Sequence, residues 1–226
     1  MPETELVVFD LDGTLIDSAG RIVAAMQAAF DELDLDAPST SEVRAVIGLE
    51  LGAACAALLA SNPRHRPAAI ATAYRRHYVL LGTVVTPLFD AARETLTALA
   101  GQGILLAIAT GKSRAGLDRA LAETAIAPYF VTTRTADDCP SKPHPGMLEE
   151  ILTELDVAPA RAVMVGDTTF DLHMAQAAGV PAIAATYGAH PRERLLDCSP
   201  AAVIEALHEL PGALAALTAV RPTAEE

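Results

Sequence analysis

From Ile104 onward the sequence alternates short apolar runs with helix-patterned stretches, and this alternation restricts the fold more than any other feature. Residues 104–109, ILLAIA, are apolar at every position and of strand length. A strand covered on both faces reads this way. The pattern then predicts a helix over 113–124, a short strand near 130–133, a helix over 145–155 and a strand over 162–165. A helix over 171–178, a strand over 180–185 and a last helix near 200–208 follow. Strands joined through helices pair in parallel and leave helices on both faces. Val7, Val8 and Phe9 add one strand near the start. The expected class is α/β, a Rossmann-like three-layer core with a central parallel sheet.

The stretch between Asp10 and Ile104 is too long for one crossover, since a βαβ unit needs roughly 30 residues. Residues 19–81 read as successive helices without a strand signal. Ile22, Met26, Ala29, Phe30 and Leu33 recur at helical spacing, with Ser18 placed as an N-cap. Ser39 and Glu42 have capping-box spacing, and the short helix they open stops near Gly48. Residues 50–60 are Ala- and Leu-rich and close at Asn62-Pro63, and Pro67 opens a pattern reaching about Leu81. Pro87 and Asp90 mark the return, before a helix over 91–100. The expected division is an α/β core of residues 1–15 and 86–226, with an all-helical segment inserted as residues 16–85 above the sheet edge. The final RPTAEE reads as a mobile tail.

The chain has 226 residues, 51% of them hydrophobic, which suffices for a sizeable core. A formal charge of −13 argues against nucleic acid as a partner, and any anion-binding site needs a local cation. No leader or spanning-length apolar run is visible, so no membrane partner is expected. Cys55, Cys139 and Cys198 are odd in number and lack metal-ligand spacing, which reads as a reduced, cytoplasmic protein.

Four places at strand ends carry candidate chemistry. Asp10 and Asp12, separated by Leu11, project to one side beyond the first strand, and Gly13 permits a turn. Two adjacent carboxylates raise each other's pKa unless a cation lies between them. Thr110-Gly111-Lys112 follows the ILLAIA run, offering a hydroxyl and turn amides to anionic oxygens, or an ordinary helix cap. Lys142 lies in Ser141-Lys142-Pro143-His144-Pro145, where prolines either aim an ammonium or merely shape a solvated turn containing a surface His144. Asp167 follows Gly166 at another strand end, and Asp171 opens the next helix, where a cap would also place an Asp.

Taken together, DLDGTLIDS at 10–18, Thr110-Gly111, Lys142-Pro143 and Gly166-Asp167 with Asp171 resemble the four motifs of the haloacid dehalogenase superfamily. The AGV at 178–180, the TYGAH turn at 186–190 and the long insertion extend the resemblance to the phosphoglycolate phosphatase-like branch. The resemblance implies a Mg²⁺-dependent phosphatase acting on small phosphate monoesters, with Asp10 as nucleophile and Asp12 as general acid/base. It further implies Thr110, Gly111 and Lys142 as phosphate-binding. The metal would lie on Asp10, Asp167 and the main-chain carbonyl of Asp12, with Asp171 behind them. The partner is then a small phosphorylated metabolite. 2-Phosphoglycolate fits, as do pyrophosphate, sugar phosphates and nucleoside monophosphates. Cap closure would hinge near Leu15–Ser18 and Thr83–Pro87, with Arg44, Gly48 and Leu49 as first cap-side contacts and Lys112 as a further candidate. A sugar-phosphate mutase of the same superfamily and a phospho-accepting receiver module are the alternatives. A dehalogenase has no use for the Asp12 acid, and an idle binding module would not fill every reactive position.

Overall fold

The computed structural model describes residues 4–59, 66–80 and 86–220. Six strands, β1 (Leu6–Phe9), β2 (Leu105–Thr110), β3 (Thr132–Thr135), β4 (Ala162–Gly166), β5 (Ala182–Ala185) and β6 (Ala202–Ile204), form one sheet in the order β3-β2-β1-β4-β5-β6. Every pairing is parallel. Side-chain alternation divides the core in two. Val7 and Phe9 of β1 pack with Leu96 and Leu99 of α5 (Ala92–Gly101) and Leu117 of α6 (Arg114–Thr124). Leu6 and Val8 pack on the other face with Ile151 of α7 (Gly146–Leu155) and Leu172 of α8 (Thr169–Ala177). The expected α/β three-layer core is therefore present. The chain runs from β1 outward through β2 and β3, then returns to pair β4 with the opposite edge of β1. That reversal opens a crevice at the carboxyl ends of β1, β2 and β4, where open α/β sheets bind ligands.

Between β1 and α5 lie α1 (Ala19–Asp31), α2 (Thr40–Arg44), α3 (Leu51–Leu58) and α4 (Pro67–Leu80). They bury a separate apolar cluster that includes Met26, Phe30, Val43, Cys55 and Ile70. Ser39 and Glu42 form the expected capping box. The two chain crossings that carry these helices run side by side. Asp17 N donates to Pro87 O (2.9 Å), Phe89 N donates to Leu15 O (3.0 Å), and Ile16 and Leu88 form an antiparallel bridge. Leu15–Ser18, expected as a hinge, is thus one side of this paired ribbon, while Thr83 of the other hinge lies outside the described residues. The Asn62-Pro63 stop and the RPTAEE tail also lie outside them.

Arg21 ties the helical segment to the sheet domain. Its buried guanidinium donates to the Tyr78 carbonyl through Nε (3.2 Å) and Nη2 (2.8 Å), and Nη1 lies 3.4 Å from Glu123 of α6. Arg21→Met leaves the Tyr78 carbonyl without its donors, and a loss of about 1–3 kcal/mol is expected in denaturant unfolding.

Three sequence expectations need correction. The last helix is not at 200–208. Residues 202–204 pair with β5 as β6, and the closing helix spans Leu210–Val220, which carries Pro211 in its first turn. The strand expected near 130–133 lies two residues later, as β3. Ser18 occupies the N-cap position of α1 but makes no cap hydrogen bond. Its backbone is in the helical region rather than the extended region that aims a cap hydroxyl inward, and the hydroxyl donates to the Asp12 carboxylate instead. No helix among the described residues is long and apolar enough to cross a membrane. Cys55, Cys139 and Cys198 are free thiols.

Candidate active site

The apolar β1 strand ends at Asp10, so the carboxylate emerges in the crevice, 1% exposed, beside β2 and β4. Lys142 reaches it from the loop before α7. Its Nζ donates to Asp10 Oδ1 (2.6 Å) and Asp171 Oδ1 (2.5 Å), so one buried ammonium spans two carboxylates. The Lys142–Pro143 peptide bond is cis. Burial alone would lower the Lys142 pKa, but the Asp10 and Asp171 charges outweigh it and hold the ammonium protonated. Asp171 Oδ2 accepts Thr168 N (3.1 Å) and Thr168 Oγ1 (2.7 Å), closing a capping box at the start of α8. A helix cap and a lysine anchor are therefore one side chain.

Asp167, beyond β4, is also fully buried. Thr14 Oγ1 donates to its Oδ1 (2.7 Å) and Ala189 N to its Oδ2 (2.6 Å). Burial, followed by the neighbouring Asp10 and Asp171 charges, pushes its pKa well above the usual carboxylate range. Burial likewise pushes Asp10 up to about 7, against the pull of Lys142.

The oxygens offered by Asp10, Asp167 and Asp171 lie within 4.8 Å of one another. Both oxygens of Asp171 are engaged by Lys142 and Thr168, whereas Asp10 Oδ2 is buried with no hydrogen-bond partner among the described residues. An all-oxygen, anionic cluster with an orphaned carboxylate oxygen suits a hard divalent cation. Gly13 keeps the cluster tight. It has φ +85°, and a Cβ there would stand 2.1 Å from Asp167 Oδ2. Gly13→Ala combines a strained backbone with displacement of Asp167, and a loss of at least about 1–3 kcal/mol is expected by thermal unfolding.

Asp12, 9% exposed, is held by Ser18 on Oδ1 and by Lys112 Nζ on Oδ2 (2.7 Å). Lys112 lies 5.3 Å from the Tyr78 ring centroid. Burial would lower the pKa of Lys112, but Asp12 first and Tyr78 second raise it. Asp10, Asp12, Thr110, Gly111 and Lys112 line one cavity of about 240 Å³ between the sheet and the helical segment. Gly48 and Leu49 also line it, and they press directly on the sheet loops. A Cβ on Gly111 would stand 2.5 Å from Gly48 O and 2.8 Å from Leu49 O.

Arg44 does not join them, because its Nη2 donates to Gly188 O (2.6 Å). His144 is exposed and its Nδ1 accepts Gly146 N (3.1 Å), so it is a turn residue.

Sequence reasoning did not find Thr14, Ser18 as a partner of Asp12, or His190. His190 Nδ1 accepts Thr169 N (3.1 Å), which leaves its Nε2 to donate to Ala45 O (3.2 Å) and joins α8 to the helical segment. Burial lowers the His190 pKa, consistent with a neutral ring in these roles.

Residues 7–185 match the haloacid dehalogenase-like hydrolase family. The chain is 35% identical to a protein of Dickeya dadantii (strain 3937) named probable phosphatase IndB, covering 94% of each. It is 30% identical to the phosphoglycolate phosphatase of Vibrio vulnificus (strain YJ016), covering 92% of this chain and 95% of that one. Among solved structures, a haloacid dehalogenase-like hydrolase from Streptococcus pneumoniae superposes with a TM-score of 0.82 at 26% identity, covering 94% of this chain and 99% of that one. A hydrolase from Pseudomonas syringae superposes with a TM-score of 0.85 at 21% identity, covering 95% and 99%, and shares the fold. With its parallel sheet, its carboxylate cluster at the β1 and β4 ends and this span of similarity, the chain belongs to the haloacid dehalogenase-like hydrolases.

Proposed function

We propose that this protein is a Mg²⁺-dependent phosphatase that hydrolyses small phosphate monoesters through an aspartyl-phosphate on Asp10. The observation that carries the reading is the pairing of Asp10 Oδ1 with Lys142 while Asp10 Oδ2, in a residue that lines the cavity, stays buried and without a hydrogen-bond partner among the described residues. One oxygen is fixed, and the other is left for chemistry. Asp10 attacks phosphorus, forming the carboxylate–phosphorus bond as the ester oxygen–phosphorus bond breaks. Asp12 gives its proton to the departing alkoxide, then takes one from the water that cleaves the acyl phosphate, releasing inorganic phosphate and regenerating Asp10. Ser18 and Lys112 orient Asp12 for both transfers. Thr110, the Gly111 amide and Lys142 hold the phosphoryl oxygens, and Asp171 holds Lys142 in place.

Asp10, Asp167 and the Asp12 carbonyl would hold the Mg²⁺, which when bound offsets the negative charge shared by the carboxylates and the phosphoryl group. Residues 1–15 and 86–226 then form the catalytic core, and 16–85 a cap that excludes water during the reaction.

Acid-quenched protein after mixing with ester is expected to carry one phosphoryl group on the peptide containing Asp10, detected by mass spectrometry. Turnover without any such adduct in wild type would overturn the covalent route. Chelation is expected to abolish turnover and Mg²⁺ to restore it. Independently of activity, Mg²⁺ at about 100 times its Kd is expected to add roughly 2.7 kcal/mol of stability. The names of the relatives make 2-phosphoglycolate the first ester to assay, and recovery of free phosphate rather than an isomerised sugar phosphate separates hydrolysis from mutase action.

A further inference from the structure

Away from the carboxylates, the same cavity changes character. Its wall on the helical segment is built from Met26, Val43, Ile47, Leu51, Tyr74 and Tyr78. Met26, Val43 and Ile47 are at most 5% exposed. Tyr74 and Tyr78 stand side by side, with ring centroids 5.6 Å apart and planes tilted by 34°.

The charged residues that line the cavity beyond Asp10 and Asp12 are all committed elsewhere or lie at the rim. Lys112 is paired with Asp12, and Glu50 accepts Gly52 N (2.7 Å) and Ala53 N (3.1 Å) at the start of α3. Arg75, Arg119 and Asp137 are exposed. The nearby buried Arg21 is bound to the Tyr78 carbonyl and Glu123. Among the described residues, then, the interior wall offers no unpaired cation to a second anionic group on the substrate. A solvated rim arginine supplies little to an ion pair.

We infer that the cavity selects phosphate monoesters whose alcohol carries a ring or comparable apolar body, with the phosphoryl group at Asp10 and that body against Ile47, Tyr74 and Tyr78. This rests on the phosphatase reading and adds the substrate class to it. A doubly anionic ester such as 2-phosphoglycolate places its carboxylate against this wall, where among the described residues only the Tyr74 and Tyr78 hydroxyls, and no free cation, stand to offset its desolvation. A phenyl or similar ring gains from burial there beside Ile47 and the Tyr74 ring, one face of Tyr78 being covered by the Arg21 guanidinium, 4.1 Å from the ring centroid.

The test compares 2-phenylethyl phosphate with 2-phosphoglycolate, both esters of unactivated alcohols, on the wild-type protein with Mg²⁺. The expected kcat/KM ratio is about tenfold or more in favour of the phenyl ester. Ile47→Ala is expected to raise KM for that ester by about three- to tenfold, with kcat moving less. Efficient hydrolysis of 2-phosphoglycolate with poor use of the phenyl ester overturns the inference and leaves the phosphatase reading standing. Release of phosphate from neither ester, nor from p-nitrophenyl phosphate, overturns the phosphatase reading and this inference with it.

Discussion

Asp10→Asn is expected to lower kcat on any phosphate ester by on the order of 10⁴-fold or more, as loss of a covalent nucleophile does. The amide is nearly isosteric, and Asp10 Oδ1 is the acceptor for Lys142, so an amide oxygen can take over that hydrogen bond. The substitution removes one negative charge from a cluster whose members repel one another, and burial already disfavours the charged form of this side chain. Folding is therefore expected to survive, with unfolding midpoints close to wild type in the metal-free protein. The diagnostic result is the separation of the two readouts, with turnover gone and stability kept. Single-turnover phosphate release at a wild-type rate would remove Asp10 from the nucleophile's place.

Lys142→Met is expected to do the opposite, damaging the fold together with the chemistry. The ammonium is fully buried between Asp10 and Asp171, and removing one partner of a buried ion pair costs about 3–5 kcal/mol. Here the carboxylates left behind include Asp167 within the same 4.8 Å cluster, so the uncompensated charge is shared by three groups. Thermal unfolding in the absence of divalent cation should therefore fall sharply, and Mg²⁺ should recover part of the loss by supplying positive charge to the same oxygens. Turnover is expected to fall by about 10²–10³-fold even with metal, as loss of a donor to developing charge does elsewhere. An unfolding midpoint unchanged without metal would mean that Lys142 does not hold the cluster together.

The sequence carried a good part of this arrangement, for physical reasons that can be named. Asp10, Lys142 and Asp167 were visible because each follows a distinctive local pattern: an apolar strand that stops at a carboxylate, a lysine framed by prolines, and a Gly-Asp at a strand end. Their meeting in one site follows from the parallel sheet, which brings the strand ends to one edge.

What stayed hidden depended on contacts remote in the chain. Thr14 reads as one residue of a turn until Asp167 is placed opposite it, and His190 reads as part of a surface turn until it meets Thr169 and Ala45. Ser18 had the sequence of a helix cap, but its backbone is helical and its hydroxyl donates to the nearby Asp12 carboxylate instead of accepting a first-turn amide N–H. β6 was misread because three residues, Ala202-Val203-Ile204, carry too little periodicity to outweigh the helix-forming residues after them. Pairing with β5 decides their conformation. The neighbouring proline at 211 held the signal for where the last helix begins.

The paired crossings at Leu15–Asp17 and Pro87–Phe89 have a consequence for how this chain can change over time. Whatever lies between them starts and finishes at two backbone segments already hydrogen-bonded to each other, so its length adds little to the cost of closing the chain, and its sequence meets the sheet domain at a few contacts such as those of Arg21, Arg44 and Ala45. The helices that choose the alcohol can therefore be exchanged for others, while the carboxylates that break the ester keep their positions. New selectivity can in this way be grafted onto unchanged chemistry.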